Sequence, residues 1–231
     1  MASRTPQTTR NVAICGHGTC GKTTLVESLL AKAKAIPRKG SVDDGTSVCD
    51  YDDLEKEKDH SIDLACAHLE HDGVAVNIID TPGYRDFIGQ VICAATAVEC
   101  MVVVVDADDG VRPNTRKVWE LAEKLSLPRV VVVSRCDREH AKQDEIVAQL
   151  REQLDPACHP VNGPDQIGPS ISAVSSIVGG EGGEELYDAV AESDDGLMER
   201  YLGGEEIAAE EWQKTLETAV AKRAVFPVFF T

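Results

Sequence analysis

Short apolar runs alternate with stretches of helical spacing along most of the chain. The runs consist almost entirely of aliphatic residues, which favours strands that are buried on both faces of a sheet. This alternation predicts an α/β fold with a mostly parallel sheet and helices on both faces. The predicted strands occupy residues 11–15, 74–79, 101–105 and 130–133, and the predicted helices residues 24–30, 113–125 and about 139–154. Residues 83–97 are predicted to be a loop that runs into a helix.

The stretches between these elements differ in character. Residues 61–69 and 74–79 flank the dipeptide Asp72-Gly73, which predicts a β-hairpin. Residues 37–58 are rich in Gly, Asp and Ser and lack periodicity, which predicts a long mobile loop. Residues 1–10 are polar, which predicts a flexible N-terminus.

The composition changes after residue 155. Residues 156–183 are rich in Pro, Gly and Ser, an acidic stretch follows, and residues 205–221 have helical spacing. The apolar residues 225–230 then predict a strand. We therefore expect a core domain over residues 11–155, a small inserted α+β subdomain over 156–223, and the last strand of the core over 224–231.

The charge and the cysteines exclude several classes of protein. The net charge is −17, with 40 acidic and 23 basic side chains, which excludes a broad basic surface for nucleic acid. The eight cysteines form no C-x-x-C pair, so we expect reduced, mostly buried thiols rather than disulfides or zinc ligands. The N-terminus shows no apolar signal segment, and the longest apolar stretch, residues 91–105, contains Glu99 and is too short to span a bilayer. We therefore expect a cytoplasmic protein with no membrane association.

A glycine-rich turn carries the most specific motif. Residues 16–23 match G-x-x-x-x-G-K-[ST] between a predicted strand and a predicted helix. In such a turn, backbone N–H groups point at phosphate oxygens, Lys22 reaches the β- and γ-phosphates, and the Thr23 hydroxyl binds Mg²⁺. The alternative is an ordinary surface turn, but the flanking strand and helix favour the phosphate-binding loop of a P-loop NTPase fold. The residues expected to contact nucleotide here are Gly16, His17, Gly18, Thr19, Cys20, Gly21, Lys22, Thr23 and Thr24.

A second polar stretch, Asp80-Thr81-Pro82-Gly83, follows the predicted strand at residues 74–79. All four residues are expected to line the nucleotide. Asp80 would hold Mg²⁺ through a water, and the Gly83 N–H would donate to a γ-phosphate, so this loop would change on hydrolysis. The hydroxyl of Ser61 either completes the Mg²⁺ shell in the triphosphate state or belongs to an ordinary polar strand residue, and the sequence leaves both open.

A third stretch, Ser134-Arg135-Cys136-Asp137, follows the apolar run at residues 130–133. The carboxylate of Asp137 would accept two hydrogen bonds from the N1–H and the exocyclic amine of guanine, a pair that adenine does not offer. The planar head of Arg135 would lie over the base. Together with the glycine-rich turn, this stretch predicts a guanine-nucleotide site.

These motifs, in this order, resemble those of the translational GTPases, and most closely those of elongation factor G and its paralogues. The resemblance covers nearly all of residues 11–231 and includes the stretches at residues 40–45, 84–87 and 106–111. Residues 191–202, A-E-S-D-D-G-L-M-E-R-Y-L, resemble the insert subdomain of elongation factor G. In the family, a Ser-Ala or Ser-Gly loop over the guanine and several further domains follow the position of Thr231, so we expect a truncated chain that does not drive translocation by itself.

The resemblance implies a GTP-driven factor that acts on bacterial ribosomes in translocation or recycling, with Mg²⁺ as its cofactor. The ribosome would stimulate GTP hydrolysis, the acidic helices would meet the ribosomal stalk proteins, and the factor would cycle between GTP and GDP as a monomer. Lys22, Gly83 and Tyr84 would be the catalytic residues.

Four departures from the family pattern bear on this activity. Tyr84 replaces the usual histidine that aligns the attacking water; a phenol is a weak base, although its hydroxyl can orient a water. Ser134 and Arg135 replace the usual Asn and Lys, which removes a hydrogen bond and lowers the affinity for guanine. Ser61 replaces Thr and keeps the hydroxyl, whereas Thr19 replaces Asp and removes a carboxylate.

These departures motivate a second function, that of a non-hydrolysing or weakly nucleotide-binding paralogue that docks on the ribosome as a regulator. An unrelated P-loop kinase or ATPase is a third interpretation, which the insert motif disfavours.

Overall fold

The structure is a computed structural model that describes residues 4–49, 51–52, 55, 61–139, 142–178 and 183–231. It divides into two compact units. The first contains Met1–Val104 and Arg112–Leu127, and the second contains Val105–Val111 and Pro128–Thr231.

The strands of the first unit follow the apolar runs of the sequence. They lie side by side in the order β2-β3-β1-β4. β1 is parallel to β3 and to β4, whereas β2 and β3 form the antiparallel hairpin that Asp72-Gly73 predicts. Both turn residues have positive φ, as a tight hairpin turn requires. The strands are β1 Thr9–Gly16, β2 Ala65–His71, β3 Val74–Asp80 and β4 Cys100–Asp106, of which the last two residues belong to the second unit.

The helices of the first unit pack through aliphatic stripes. In the first helix, Val26 and Leu30 are four residues apart and therefore share a face, and both are buried. The third begins with Pro113, whose fixed φ suits the first turn. The helices are α1 Lys22–Lys32, α2 Ile88–Ala95 and α3 Pro113–Lys124, with 3₁₀ turns at Pro6–Thr8 and Arg85–Phe87.

Two irregular stretches of the first unit differ in part from the sequence-based expectation. The N-terminus was predicted to be flexible over residues 1–10, but the 3₁₀ turn begins at Pro6 and β1 begins at Thr9. The predicted loop over residues 37–58 consists of turns as far as residue 49. Residues 50, 53–54 and 56–58 of that loop lie outside the described residues.

The strands of the second unit form a parallel set and a small separate pair. The order of the parallel set is β5-β9-β6, and its central residues, such as Val131, Val133 and Val228, are buried. The separate pair is antiparallel. The strands are β5 Arg129–Ser134, β6 Cys158–Pro160, β7 Asn162–Pro164, β8 Val174–Ser176 and β9 Phe226–Phe230.

The helices of the second unit include two that the sequence did not predict, both within the acidic stretch. Three of the helices that the structure describes here contribute to an apolar cluster in which the ring of Trp212 lies 4.5 Å from that of Tyr187 and 5.4 Å from that of Tyr201, measured between centroids. No helix formed by the described residues is both long and apolar enough to cross a membrane. The helices are α4 Gln143–Gln153, α5 Glu184–Ala191, α6 Asp195–Leu202 and α7 Ala209–Ala221.

The pairing of β6 bears on the predicted insert boundary. Residues 158–160 were assigned to the insert that begins at residue 156, yet β6 pairs in parallel with β9, the last predicted strand of the core. Three residues are too few for strand periodicity, which is why the sequence did not separate them from the insert. The two compact units also divide the chain elsewhere than at residue 156, so the domain boundaries stay a prediction.

Candidate functional site

The glycine-rich turn lies in the first unit, between β1 and α1. Gly16 has φ +150°, and a Cβ added there would lie 2.4 Å from the carbonyl oxygen of Val104, so only glycine fits against β4. Thr19 and Gly21 also have positive φ, at +62° and +84°. This backbone forms a tight loop that ends at the first residue of α1, the arrangement that creates an anion-binding concavity.

Lys22 is the first residue of α1 and is buried. Its Nζ donates a hydrogen bond to the carbonyl oxygen of His17, at 2.8 Å across the turn. The ammonium group of Lys22 therefore lies within the loop, where the motif predicts a positive charge.

Thr23 and Asp80 are brought together as predicted for a Mg²⁺ site. The Thr23 hydroxyl donates to Asp80 Oδ2 at 2.6 Å, and only 2% of Asp80 is exposed, at the end of β3. A hydroxyl and a carboxylate are the oxygen donors that Mg²⁺ prefers, so these residues fit the ion. Ser61 is partly buried in the irregular segment ahead of β2, and its role at Mg²⁺ stays a prediction.

The loop after β3 is fixed against β1 and against the glycine-rich turn. The backbone N–H and the hydroxyl of Thr81 both donate to the carbonyl oxygen of Ile14, at 3.2 and 2.8 Å. Pro82 is buried beside it. A Cβ on Gly83 would lie 2.4 Å from Lys22 Nζ and 2.6 Å from the Gly18 nitrogen, so this glycine lies directly on the turn.

Asn114, which no sequence motif marks as a site residue, holds Gly83 from the other side. Asn114 is fully buried in the first turn of α3, and its Nδ2 donates to the Gly83 carbonyl oxygen at 2.8 Å. Asn114 is the second residue of α3, directly after Pro113, and no motif in the sequence marks a polar residue there for this role.

Tyr84 lies over the glycine-rich turn. Three carbons of its ring would lie 3.2–3.4 Å from a Cβ on Gly18, and 41% of the residue is exposed. The ring thus takes the space above the turn that a side chain at position 18 would fill. A cavity of about 500 Å³ opens beside it, lined by His17, Tyr84, Arg85, Asp86 and Lys117.

The predicted guanine-binding residues lie in the second unit, after β5. The Ser134 hydroxyl donates to the Val105 carbonyl oxygen at 3.3 Å, and Asp137 is exposed. Arg135 has φ +58°, and its Nη1 lies 2.8 Å from Oδ2 of the buried Asp106. The guanidinium that was predicted to lie over a base is therefore engaged in an ion pair, a contact that follows from the fold and not from the local sequence.

The cysteines are all free thiols. Five are buried, namely Cys15, Cys20, Cys49, Cys136 and Cys158, whereas Cys66 and Cys93 are exposed. Burial raises the pKa of Cys15 and of Cys158 to about 12. Among the described residues, no group of three or more His, Cys, Asp or Glu side chains is arranged to hold a metal ion, and the predicted Mg²⁺ site is of a different kind because it uses hydroxyls.

Comparison with known proteins agrees with this geometry. The family of the elongation factor Tu GTP binding domain matches residues 7–230. An elongation factor G-like protein of Mycobacterium tuberculosis H37Rv is 36% identical over 244 residues, which are 96% of this chain and 34% of that protein. An oxytetracycline resistance protein of Streptomyces rimosus is 33% identical over 224 residues, which are 95% of this chain and 34% of that protein.

A crystal structure of a protein from Thermus thermophilus has the same fold. It matches with a TM-score of 0.88 at 32% identity, over 96% of this chain and 37% of the other. This likeness confirms the predicted α/β, P-loop GTPase fold. The chain spans about a third of the length of the curated relatives it matches. It belongs to the family of elongation factor Tu GTP-binding domains and thus to the translational GTPases, with similarity to elongation-factor-G-like proteins.

Proposed function

We propose that the chain binds Mg²⁺ and GTP and hydrolyses the GTP on the ribosome, as the GTP-binding domain of an elongation-factor-G-like factor in translocation or recycling. The observation that carries this proposal is the 2.6 Å contact between the Thr23 hydroxyl and the buried Asp80 carboxylate at the head of α1. A hydroxyl and a carboxylate next to a loop of glycines are what a Mg²⁺-bound triphosphate needs. Family membership supports GTP as the nucleotide.

The turn at residues 16–23 would bind the phosphates. Its backbone N–H groups and the N-terminus of α1 favour negative charge. Lys22 exchanges its bond to the His17 carbonyl for phosphate oxygens, and because both partners are then charged, the new bonds are stronger than the old one.

Thr23, Asp80 and Ser61 would hold the ion, Asp80 by way of a water and Ser61 when a triphosphate is bound. When bound, Mg²⁺ neutralises phosphate charge and fixes the orientation of the γ-phosphate. The hydrogen bond that Thr23 now gives to Asp80 keeps both side chains in the orientation needed for this task.

The loop after β3 senses the γ-phosphate. Gly83 donates its N–H to that group, and Asn114 keeps the peptide in position by binding the Gly83 carbonyl. Tyr84, with its ring on Gly18, orients the attacking water through its hydroxyl. Lys22 stabilises the charge that develops in the transition state.

The loop after β5 would bind the guanine base. Asp137 accepts from the guanine N1–H and amine, and its exposure leaves both carboxylate oxygens accessible to the base. Arg135 would have to leave Asp106 before it could lie over a base. We therefore propose that Asp137 sets the guanine preference and that Arg135 contributes less to the affinity for the base than a lysine at this position would.

The partners follow from the relatives. An elongation factor G-like protein and an oxytetracycline resistance protein are among them, which supports the ribosome as a partner. The ribosomal stalk proteins as contacts and the cytoplasm as the location are part of the proposal. The acidic residues of α5, α6 and α7 are the proposed stalk-facing surface, and the chain is proposed to act as a monomer.

The test is single-turnover hydrolysis of radiolabelled GTP by this chain, with and without bacterial ribosomes. We expect slow phosphate release that ribosomes accelerate, with GTP competed by GDP and not by ATP. Equal competition by ATP would overturn the guanine preference, and phosphate release that ribosomes leave unchanged would overturn ribosomal stimulation.

A second candidate function is supported by Tyr84. A phenol packed on the glycine-rich turn is a poor general base, which favours a paralogue that binds GTP on the ribosome without hydrolysing it. GTP binding without any phosphate release in the presence of ribosomes would favour this candidate.

A further inference from the structure

Two buried glutamates of the first unit lie outside the phosphate site and have no part in the proposed chemistry. Glu27 on α1 is fully buried, and only 4% of Glu55 is exposed. Both carboxylates accept hydrogen bonds from the segment between α1 and β2, Glu27 from outside the segment and Glu55 from within it. That segment contains Ser61, the proposed third oxygen ligand of Mg²⁺.

Glu27 holds the beginning of the segment. Its Oε2 accepts the N–H of Gly40 at 2.8 Å, and its Oε1 accepts the N–H of Val48 at 2.5 Å and the hydroxyl of Ser47 at 3.2 Å. A carboxylate can accept all three bonds because each oxygen has two lone pairs and neither carries a proton.

Glu27 also connects this segment to the phosphate site. It lies four residues after Thr23 on α1, so the two side chains share one face of the helix, one turn apart. α1 therefore carries both the Thr23 hydroxyl, which donates to Asp80, and the Glu27 carboxylate, which binds residues 40–48.

Gly40 packs closely against the backbone of Thr46 and the carboxylate of Glu27. A Cβ at this position would lie 2.4 Å from the carbonyl oxygen of Thr46 and 2.9 Å from Glu27 Oε2. Any larger residue must therefore displace either the backbone of the segment or the carboxylate.

Glu55 holds the end of the segment. Its Oε1 accepts the N–H of Ile62 at 2.9 Å and the N–H of Asp63 at 3.2 Å, which are the two residues after Ser61. Asp63 in turn accepts a bond from Gln90 on α2 at 2.6 Å. The backbone next to the Ser61 hydroxyl is thus fixed from two sides.

We propose that Glu27 and Glu55 are positioning residues that hold the two ends of this segment, so that Ser61 reaches the metal when a triphosphate is bound. This inference rests on the proposed role of Ser61. It predicts that loss of either carboxylate weakens GTP binding selectively, because GDP does not require the Ser61 contact.

The sharpest variant is Glu27→Gln, which keeps the shape of the side chain. A glutamine has one accepting oxygen and one NH₂ group, so the NH₂ must face the N–H of either Gly40 or Val48. Glu55→Ala removes the carboxylate that accepts the N–H groups of Ile62 and Asp63. Gly40→Ala disturbs the contact between Gly40 and Glu27 but leaves the Glu27 side chain itself unaltered. Ser28→Ala on α1 is the control, since it removes only a bond to the Thr24 carbonyl within the same helix.

The experiment is titration of the whole chain and each variant with a fluorescent GDP and a fluorescent non-hydrolysable GTP analogue in Mg²⁺. We expect each of the three variants to raise the Kd of the GTP analogue about tenfold and to change the Kd of GDP less than about twofold, as loss of one hydrogen bond to a charged group implies. Ser61→Ala should give the same selective loss, and Ser28→Ala should give none. Hydrogen exchange at the Gly40 and Val48 amides should accelerate in Glu27→Gln.

The outcomes separate the inference from the proposed function. If Ser61→Ala shows the selective loss while Glu27→Gln and Glu55→Ala do not, this inference is overturned and the proposed function stands. If the variants weaken GDP and GTP equally, the glutamates have only a structural role, and the inference is again overturned. A parent chain that binds neither nucleotide overturns both.

Discussion

Thr23 and Asp80, 57 residues apart in sequence, are joined by a 2.6 Å hydrogen bond from the threonine hydroxyl to the carboxylate. The bond links the first turn of α1, which follows β1 in the chain, to the end of β3, which pairs with β1 in the sheet. It holds a hydroxyl and a buried carboxylate side by side, the two oxygen groups that we propose to hold Mg²⁺.

Replacing Thr23 tests the metal site. Thr23→Ala removes the hydroxyl proposed to bind Mg²⁺, so the Kd for GTP in Mg²⁺ should rise by roughly 10- to 100-fold, as expected for a contact to a charged group. In EDTA the variant and the parent should bind GTP alike. Calorimetric titration under both conditions measures the difference, and an equal loss with and without Mg²⁺ would contradict a metal role for the hydroxyl.

Replacing Tyr84 tests the proposed hydrolysis. Tyr84→His introduces a better general base beside the glycine-rich turn, so phosphate release on ribosomes should rise by about tenfold or more, with little change in GTP affinity. Tyr84→Phe keeps the ring on Gly18 and removes the hydroxyl, so it should slow release. Rates for both variants equal to the parent's would show that residue 84 does not act on the water.

Replacing Trp212 tests the apolar cluster of the second unit. Its ring is buried against Tyr187 and Tyr201, so Trp212→Ala should lower the free energy of unfolding by about 3–5 kcal/mol. Leu202→Ala is the control, because 77% of Leu202 is exposed and its loss should cost less than about 0.5 kcal/mol. Urea unfolding followed by tyrosine and tryptophan fluorescence compares the two, and equal losses would contradict the described packing.

The thiols should differ sharply in reactivity. Cys66 and Cys93 are exposed, whereas burial raises the pKa of Cys15 to about 12, so that almost no thiolate forms there at neutral pH. Brief treatment of the folded chain with iodoacetamide at about pH 8, where an ordinary exposed thiol is partly ionised, followed by peptide mass spectrometry, should find label on Cys66 and Cys93 and none on Cys15. Early labelling of Cys15 would mean that the end of β1 opens.

Local patterns account for the parts of the fold that the sequence predicted. The buried strands are aliphatic runs such as residues 130–133, and the glycine-rich turn is recognised by the spacing of its motif. α6 carries a local signal too: Asp194 caps it by accepting the N–H of Leu197 at 3.0 Å, although Gly196 in the first turn weakens the helical pattern.

Contacts between distant residues account for what the sequence could not predict. β6 has only three residues, so its pairing with β9 leaves no periodic pattern. Asn114 binds Gly83, 31 residues away in sequence, and Glu27 binds Val48, 21 residues away. Both are polar residues in helices, and in the sequence alone such residues cannot be distinguished from exposed ones, although the fold buries both. The pairing of Arg135 with Asp106 likewise depends on two strand ends that meet only in the folded unit.

The central claim is that the turn at the head of α1 binds the phosphates of a guanine nucleotide. The most direct test is calorimetric titration of the chain and of Lys22→Ala with GTP in Mg²⁺, with circular dichroism to show that both are folded. The account predicts saturable binding of one GTP by the parent and loss of at least about tenfold in affinity in the variant, since Lys22 makes a charge-assisted contact. A folded Lys22→Ala variant that binds GTP as tightly as the parent would contradict it.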